Sequence, residues 1–200
     1  MKTLILITGD LATGKSTLAK RLSQKIKALC FTKDVLKEIL SDDIGFSCRQ
    51  ENKNLSIASV DIMKHIFCQY AFLEQDLILE ANFHKPEIIA LKTLAKQLNY
   101  KIFLFFLQGE TNQLFQKFTS RIKEQGRHPT HCTDDIIEPV GFEKYLLANR
   151  KELSQFLQEK QNPDFSVTTI KVKDDNYDSV FSQVLKAIHF NFPNTKEFKA

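Results

Sequence analysis

Two glycines, a lysine and several hydroxyl side chains stand close together near the start of the chain, in the spacing G-x-x-x-x-G-K-S. This spacing is typical of a loop that wraps a phosphate group, because glycines let successive backbone N–H groups point inward. A helix that starts at the loop adds partial positive charge. We therefore expect the segment to bind the phosphates of ATP. Its residues are Gly9, Asp10, Leu11, Ala12, Thr13, Gly14, Lys15, Ser16 and Thr17.

The context of this loop agrees with the motif. An apolar run, LILI, precedes it, and Leu18, Leu22 and Ile26 follow it at helical spacing. We expect Lys15 to reach the β- and γ-phosphates as a catalytic residue, and the Ser16 hydroxyl to bind Mg²⁺. Thr17 would stand beside it in the helix rather than bind the metal.

An aspartate follows the second apolar run, in CFTKDVLKE. Asp34 would stand at the carboxyl end of a strand, on the same sheet edge as the phosphate loop. A carboxylate there can take a proton from an acceptor hydroxyl and hold it in line with the γ-phosphate. The alternative is a helix N-cap, and one aspartate can serve both roles.

Polar residues also follow the third apolar run, LILE. We expect Glu80, at its end, to position Mg²⁺ through water. Asn82, Phe83 and His84 form a polar and aromatic group that suits an acceptor pocket. The alternatives are a solvated strand end for Glu80 and a helix cap for Asn82.

The arginines are scarce, with 5 against 23 lysines, so their positions are informative. Arg121 and Arg127 lie six residues apart, at the end of one predicted helix and in the loop after it. Guanidinium groups bind transferring phosphates bidentately, and we expect both to stabilise charge in the transition state. The alternative is surface charge that favours the helix dipole.

Apolar runs alternate with segments of helical period along the whole chain. The alternation predicts an α/β fold of three layers, in which helices cover both faces of a parallel sheet. We expect one domain over residues 1–200. Two polar stretches interrupt the pattern: 42–54, a mobile loop on the acceptor side, and 125–140, a small lid. The alternative is that they are ordinary solvated loops. The predicted strands are 4–8, 28–32, 77–80, 102–107 and 166–172.

Composition narrows the class of protein. A net charge of +4 suits anionic ligands, but the charges are interspersed, which argues against nucleic acid as a partner. No apolar segment reaches membrane length. The four cysteines form no C-x-x-C pair, so we expect free thiols and a cytoplasmic location. The oligomeric state stays open.

The segments ILITGDLATGKST, FTKDVLKEIL, LILEANF and SRIKEQGRHPTH resemble the small P-loop kinases of the zeta-toxin and chloramphenicol-phosphotransferase type. These kinases belong to the nucleoside-monophosphate-kinase-like group. The resemblance covers about two-thirds of the chain and implies a P-loop NTPase fold, with a five-stranded parallel sheet in the order 2-3-1-4-5. It implies Asp34 as the acceptor-side base, Arg121 and Arg127 as phosphate clamps, and a base pocket around residues 172–175.

These observations predict an ATP-dependent kinase that phosphorylates a hydroxyl of a small-molecule acceptor and uses Mg²⁺. Two alternatives stay open. The first is a gluconate-kinase-like sugar-acid kinase, although the chain lacks the expected aspartate- and histidine-rich segment after strand two. The second is a regulatory module that binds ATP or hydrolyses it slowly.

Overall fold

The computed structural model of the protein describes residues 2–123, 126–131, 138–158, 164–173 and 177–191. Five parallel strands form one sheet in the order β2-β3-β1-β4-β5, so the expected fold class and strand order are confirmed. The strands are β1 (Thr3–Gly9), β2 (Leu29–Thr32), β3 (Leu77–Glu80), β4 (Lys101–Gly109) and β5 (Phe165–Val172). The described helices are α1 (Lys15–Ile26), α2 (Lys33–Ile44), α3 (Arg49–Ala71), α4 (Lys85–Gln97), α5 (Thr111–Lys123), α6 (Pro139–Gln158) and α7 (Tyr177–Asn191).

Strand β1 lies at the centre of the sheet and pairs with β3 on one side and β4 on the other. Successive side chains of a strand point to opposite faces, so both faces of a buried central strand must be apolar. Leu4 and Leu6 accordingly pack in one core layer, and Ile5 and Ile7 in the other. This double burial accounts for the continuous apolar runs in the sequence.

Helices cover the two faces separately. Phe67 of α3, Leu91 of α4 and Phe156 of α6 pack against one face of the sheet. Leu22 of α1 and Val184 of α7 pack against the other. The sheet therefore lies between two helical layers, and its carboxyl edge is left for the functional loops.

A third apolar cluster joins the phosphate loop to the helices that flank the lid segment. Phe118 of α5 and Phe142 of α6 lie with their ring centroids 5.2 Å apart, and Leu146 of α6 joins them. Ala12, at the tip of the loop, is buried in the same cluster. The loop is therefore anchored by α5 and α6 as well as by its own strand.

The prediction of a loop over residues 42–54 is wrong. Helix α2 continues to Ile44 and α3 begins at Arg49, so only residues 45–48 lie outside a helix. The Glu51 carboxylate accepts hydrogen bonds from the Ser47 N–H at 2.6 Å and the Ser47 hydroxyl at 2.8 Å, which closes the start of α3. The polar residues of this stretch form solvated helix faces.

The predicted lid, residues 125–140, is described only over 126–131 and 138–140. Pro139 is the first residue of α6, a position that suits proline because the first turn of a helix leaves its N–H groups unpaired. The end of the stretch is thus helical and not part of a loop. Residues 125 and 132–137 lie outside the described residues.

Cys30, Cys48 and Cys68 are free thiols, as expected, and Cys132 lies outside the described residues. Burial raises the pKa of the Cys30 thiol to about 12, so this thiol is not poised to react. None of the described helices combines the length and the apolar character that crossing a membrane requires.

Candidate active site

The phosphate loop connects the end of β1 to the start of α1 through residues with positive φ angles. Gly9 has φ 133°, Ala12 59° and Gly14 79°. A Cβ atom on Gly9 would lie 2.1 Å from the Leu107 carbonyl oxygen, and one on Gly14 would lie 2.2 Å from the Tyr177 ring. Gly9 is therefore required by conformation and by space, because its neighbours are backbone atoms, whereas Gly14 is required by its positive φ angle.

Lys15 is buried beneath this loop, with 8% of its surface exposed. Its ammonium group donates to the Asp10 carbonyl at 2.7 Å and to the Gly9 carbonyl at 3.3 Å. Burial lowers its pKa, and the neighbouring carboxylates Glu80, Asp34 and Asp10 oppose that shift. The ammonium is thus held against the loop, where a bound phosphate would meet it.

The Asp10 side chain turns away from the phosphate loop's cavity. Its carboxylate is fully buried and accepts hydrogen bonds from the Arg150 Nε at 3.1 Å and Nη2 at 2.5 Å. It also accepts from the Gly109 N–H at 3.1 Å. Asp10 was expected to contact the nucleotide. Its N–H instead donates to the Leu107 carbonyl at 2.9 Å, and its carbonyl accepts from Lys15 and Thr13.

Ser16 and Glu80 lie next to each other and line the cavity that opens over the phosphate loop. The Ser16 hydroxyl donates to the Glu80 Oε2 at 3.1 Å. Burial raises the pKa of Glu80, and the Lys15 ammonium and the Ser16 hydroxyl work against that shift. A hydroxyl and a carboxylate beside a phosphate site are the oxygen ligands that Mg²⁺ prefers, so these residues fit the ion. The described residues contain no cluster of three His, Cys, Asp or Glu that could hold a metal by itself.

A cavity of about 170 Å³ opens over the loop and collects most of the predicted donor residues. Gly9, Asp10 and Thr13 belong to the loop but do not line this cavity, and the Thr13 hydroxyl instead donates to the Asp10 carbonyl at 2.8 Å. The cavity is lined by Leu11, Ala12, Gly14, Lys15, Ser16, Thr17, Asp34, Glu80, Asn82, Phe118, Arg121 and Arg127.

Asp34 occupies the second position of α2. The N-cap of this helix is Thr32, so Asp34 is not the N-cap that the sequence left as an alternative. Its carboxylate is exposed and accepts no hydrogen bond from the described residues. The side chain is therefore available at the cavity.

A second, larger cavity of about 450 Å³ lies beside the first. Helices α2 and α3 line it, together with Arg127, Thr130, His131 and the start of α4. Five residues line both cavities: Leu11, Asp34, Asn82, Phe118 and Arg127. The two cavities therefore meet at a carboxylate, an amide and a guanidinium group.

The structure places the three residues expected in the acceptor pocket in different surroundings. Asn82 lines both cavities, and its Oδ1 is buried without a hydrogen-bond partner among the described residues. His84 lines the second cavity and is the N-cap of α4, a role that the sequence had suggested for Asn82. Phe83 is fully buried in the core, and placing it in the acceptor pocket was wrong.

The two predicted arginines both reach the phosphate side. Arg121, near the end of α5, is exposed and lines the first cavity. Arg127 lines both cavities, and its Nε is buried without a partner among the described residues. A buried guanidinium N–H with no acceptor is costly, which favours an anionic ligand at this point.

The described part of the lid segment packs on α2 and α3. The Thr130 carbonyl accepts from the Lys37 ammonium at 3.0 Å and from the Asn52 amide at 3.3 Å. His131 Nε2 lies 2.6 Å from the Glu38 carboxylate, and a short 3₁₀ helix spans Pro129–His131. The segment thus closes one side of the second cavity.

Several residues of this site were not predicted from the sequence, among them Arg150, Lys37, Asn52 and Tyr177. Arg150 was one of the five arginines, and this scarcity was the available signal. Lys37 and Asn52 looked like polar positions of solvated helices. Of the expected base pocket, Val172 is buried in the core and residues 174 and 175 lie outside the described residues.

The strand order and this loop together define a P-loop NTPase fold. Solved structures share the fold. A candidate kinase from Chloroflexus aurantiacus is 22% identical with a TM-score of 0.74, over 92% of this chain and 97% of that one. A gluconokinase from Sinorhizobium meliloti is 11% identical with a TM-score of 0.56, over 95% and 97%.

A sugar kinase from Janibacter sp. is likewise 11% identical with a TM-score of 0.56, over 94% of this chain and 95% of that one. At these identities the likeness shows the fold. No protein-family model matches the chain, and no curated protein matches its sequence.

Proposed function

We propose that the protein is an ATP-dependent kinase that transfers the γ-phosphoryl group to a hydroxyl of a small-molecule acceptor. One observation carries this proposal: Asp34, Asn82 and Arg127 line both the cavity over the phosphate loop and the larger cavity beside it. A nucleotide-binding module without an acceptor needs only the first cavity. A transferase needs two that meet at the reacting atoms.

On the donor side, the loop would hold the β- and γ-phosphates through its backbone, and the Lys15 ammonium would exchange its two carbonyl partners for phosphate oxygens. Arg121 and Arg127 would approach the γ-phosphate from the side of α5. Charge that spreads over the γ-phosphoryl oxygens in the transition state would then meet three cations.

On the acceptor side, Asp34 would accept the proton of the attacking hydroxyl. The hydroxyl oxygen forms a bond to the γ-phosphorus while the bond to the β–γ bridging oxygen breaks, and ADP leaves with that electron pair. The proton on Asp34 then passes to solvent. Asn82, with its free Oδ1, would orient the acceptor by accepting a hydrogen bond.

The Ser16 hydroxyl and the Glu80 carboxylate would hold Mg²⁺, Glu80 through water. When bound, this ion neutralises phosphate charge and fixes the phosphate conformation.

The sequence resemblance to zeta-toxin and chloramphenicol-phosphotransferase kinases supports this assignment, and so do the kinases among the structures with the same fold. We also propose a cytoplasmic location, which the free thiols Cys30, Cys48 and Cys68 support.

Substitution of Asp34 by asparagine tests the proposal. Steady-state ADP release should rise when an acceptor is added to the native protein, and the acceptor-dependent rate should fall by at least about a hundredfold in Asp34→Asn. Asp43→Asn, an exposed aspartate on the same helix, is the matched control and should retain the rate. If no hydroxyl compound stimulates ADP release and Asp34→Asn leaves basal hydrolysis unchanged, the protein is an ATPase module and the kinase proposal fails.

A further inference from the structure

We infer that the acceptor carries an anionic group, a carboxylate or a phosphate, close to the hydroxyl that is phosphorylated, and that Lys37 binds this group. The inference rests on the proposed kinase function and names its class of substrate. It follows from the charge of the second cavity, from the burial of Lys37 and from the position of Lys37 relative to Asp34.

The second cavity is strongly basic compared with the protein as a whole. Its lining includes five lysine and arginine residues against two carboxylates, Asp34 and Glu87, a balance of +3 with histidines neutral. Its cations are Lys33, Lys37, Arg49, Lys53 and Arg127. Such a concentration of like charge in a concave site attracts anions and repels cations.

Lys37 is the most deeply buried cation of the second cavity. Its side chain is 8% exposed, and among the described residues its ammonium group makes one hydrogen bond, to the Thr130 carbonyl. No described carboxylate forms an ion pair with it. A buried charge without a counter-charge is unfavourable, so an anionic ligand bound beside Lys37 would stabilise the ammonium group.

Asn52 is a second buried polar side chain next to Lys37. This residue is also 8% exposed and donates to the same Thr130 carbonyl at 3.3 Å. Its Oδ1 has no hydrogen-bond partner among the described residues. An unpaired acceptor beside an ammonium fits a ligand that bears both an anionic group and a hydroxyl donor.

The spacing of Lys37 and Asp34 sets the length of the acceptor. They stand three residues apart on α2, a spacing that places two side chains on one face of a helix with roughly 5–6 Å between their Cβ atoms. A hydroxyl at Asp34 and an anion at Lys37 would then be separated by a few bonds. Neutral sugars, nucleosides without phosphate and cationic aminoglycosides do not meet this requirement.

A panel of acceptors tests the inference. ADP release would be measured with sugar acids, sugar phosphates, neutral sugars, nucleosides and aminoglycosides at constant ionic strength. Only the anionic compounds should stimulate turnover, and the preference between sugar acids and sugar phosphates identifies the anionic group. Lys37→Met should raise the KM for that acceptor at least tenfold and leave the KM for ATP within about twofold.

Lys64→Met, on the adjacent helix α3 and outside the cavity lining, is the matched control and should change neither constant. Lys53→Met removes an exposed cation of the same cavity and should raise the acceptor KM less than Lys37→Met does. This second variant keeps the test valid if the loss of Lys37 disturbs folding.

Chemical labelling separates this inference from the kinase proposal. Acetylation of Lys37 by an amine-reactive reagent, followed by mass spectrometry, should slow at least threefold when inorganic phosphate or a sugar acid is present, and should not slow with a neutral sugar. Neutral compounds phosphorylated as well as anionic ones would overturn the inference and leave the kinase proposal standing. Protection of Lys37 without any acceptor-dependent turnover would support the anion site and overturn the kinase proposal, whereas no protection by any anion would overturn the site.

Discussion

The Asp10 carboxylate and the Arg150 guanidinium form an ion pair between residues 140 positions apart in the sequence. Asp10 is fully buried in the phosphate loop, and Arg150 approaches it from α6, with Nη2 2.5 Å from Oδ2. Arg150 also donates to the Gly109 carbonyl at 2.8 Å, at the end of β4. The loop is therefore braced by the helix that follows the lid segment.

Arg150→Met should lower the free energy of unfolding by about 3 kcal/mol, because it leaves the buried Asp10 carboxylate without its counter-charge. Urea denaturation followed by circular dichroism measures this. Asp10→Asn combined with Arg150→Met should recover part of the loss, since no buried charge is then unpaired.

Arg21→Met is the matched control for that experiment. Arg21 pairs with Asp178 at 2.6 Å, but these side chains are 39% and 78% exposed and the pair is screened by solvent, so the change should be under about 1 kcal/mol. Equal losses of unfolding free energy in Arg21→Met and Arg150→Met would show that burial does not make the Asp10–Arg150 pair more important for stability than an exposed pair.

Lys15→Met should lower the affinity for ATP by at least about tenfold, since a charged hydrogen bond to phosphate is lost. The melting temperature should not fall, because burial disfavours the charged form of Lys15 in the folded protein. Isothermal calorimetry and thermal melting measure the two effects. Lys20→Met, exposed on the same helix, should bind ATP normally, and undiminished affinity in Lys15→Met would exclude the loop as the phosphate site.

Glu80→Gln should raise the Mg²⁺ concentration needed for half-maximal activity by roughly ten- to a hundredfold, because it removes a charge that orients the ligands of the ion. Glutamine keeps the shape and can still accept from Ser16, so the fold should persist. Titration of ADP release with Mg²⁺ at fixed ATP measures the shift. Glu74→Gln, an exposed carboxylate, is the control. An unchanged Mg²⁺ requirement in Glu80→Gln would remove Glu80 from the metal site.

The rate with an anionic acceptor should depend on pH through Lys37. Burial, aided by the neighbouring cations Lys33 and Arg49 and opposed by Asp34, lowers the pKa of Lys37 to about 8. An anion binds the protonated form, so kcat/KM for the acceptor should be constant below this pKa and fall above it, by at least about tenfold, to the lower level that the deprotonated form retains.

The same pH profile in Lys37→Met should lack the step near pH 8 and lie at the lower level throughout. The KM for ATP, measured over the same range, should not show this step. A native profile that is flat from pH 7 to 10 would contradict the role of Lys37.

Several parts of this site could be predicted from local sequence. Lys15 and Ser16 follow from a motif in which each glycine meets a backbone requirement within a few residues. Asp34 and Glu80 follow from a simple rule, since the carboxyl ends of parallel strands share one edge of the sheet. The error over residues 42–54 has an equally local cause, because polar residues suit both a loop and the exposed face of a helix.

Other residues depended on how distant elements pack. Phe83 stands between two polar neighbours that line the second cavity, yet its side chain enters the core. In the sequence, Lys37 resembles any lysine on the exposed face of a helix. In the folded protein, Thr130 packs over it and buries it. Arg150 contacts Asp10 only because α6 packs against the phosphate loop.

The phosphate loop and the alternation of strands and helices could be predicted from local sequence, because both are encoded in the spacing of residues close together along the chain. Which polar side chains surround the second cavity, and which of them are buried, depends on tertiary packing. Burial and charge at that cavity arise from contacts between α2, α3 and the lid segment, which no local spacing records.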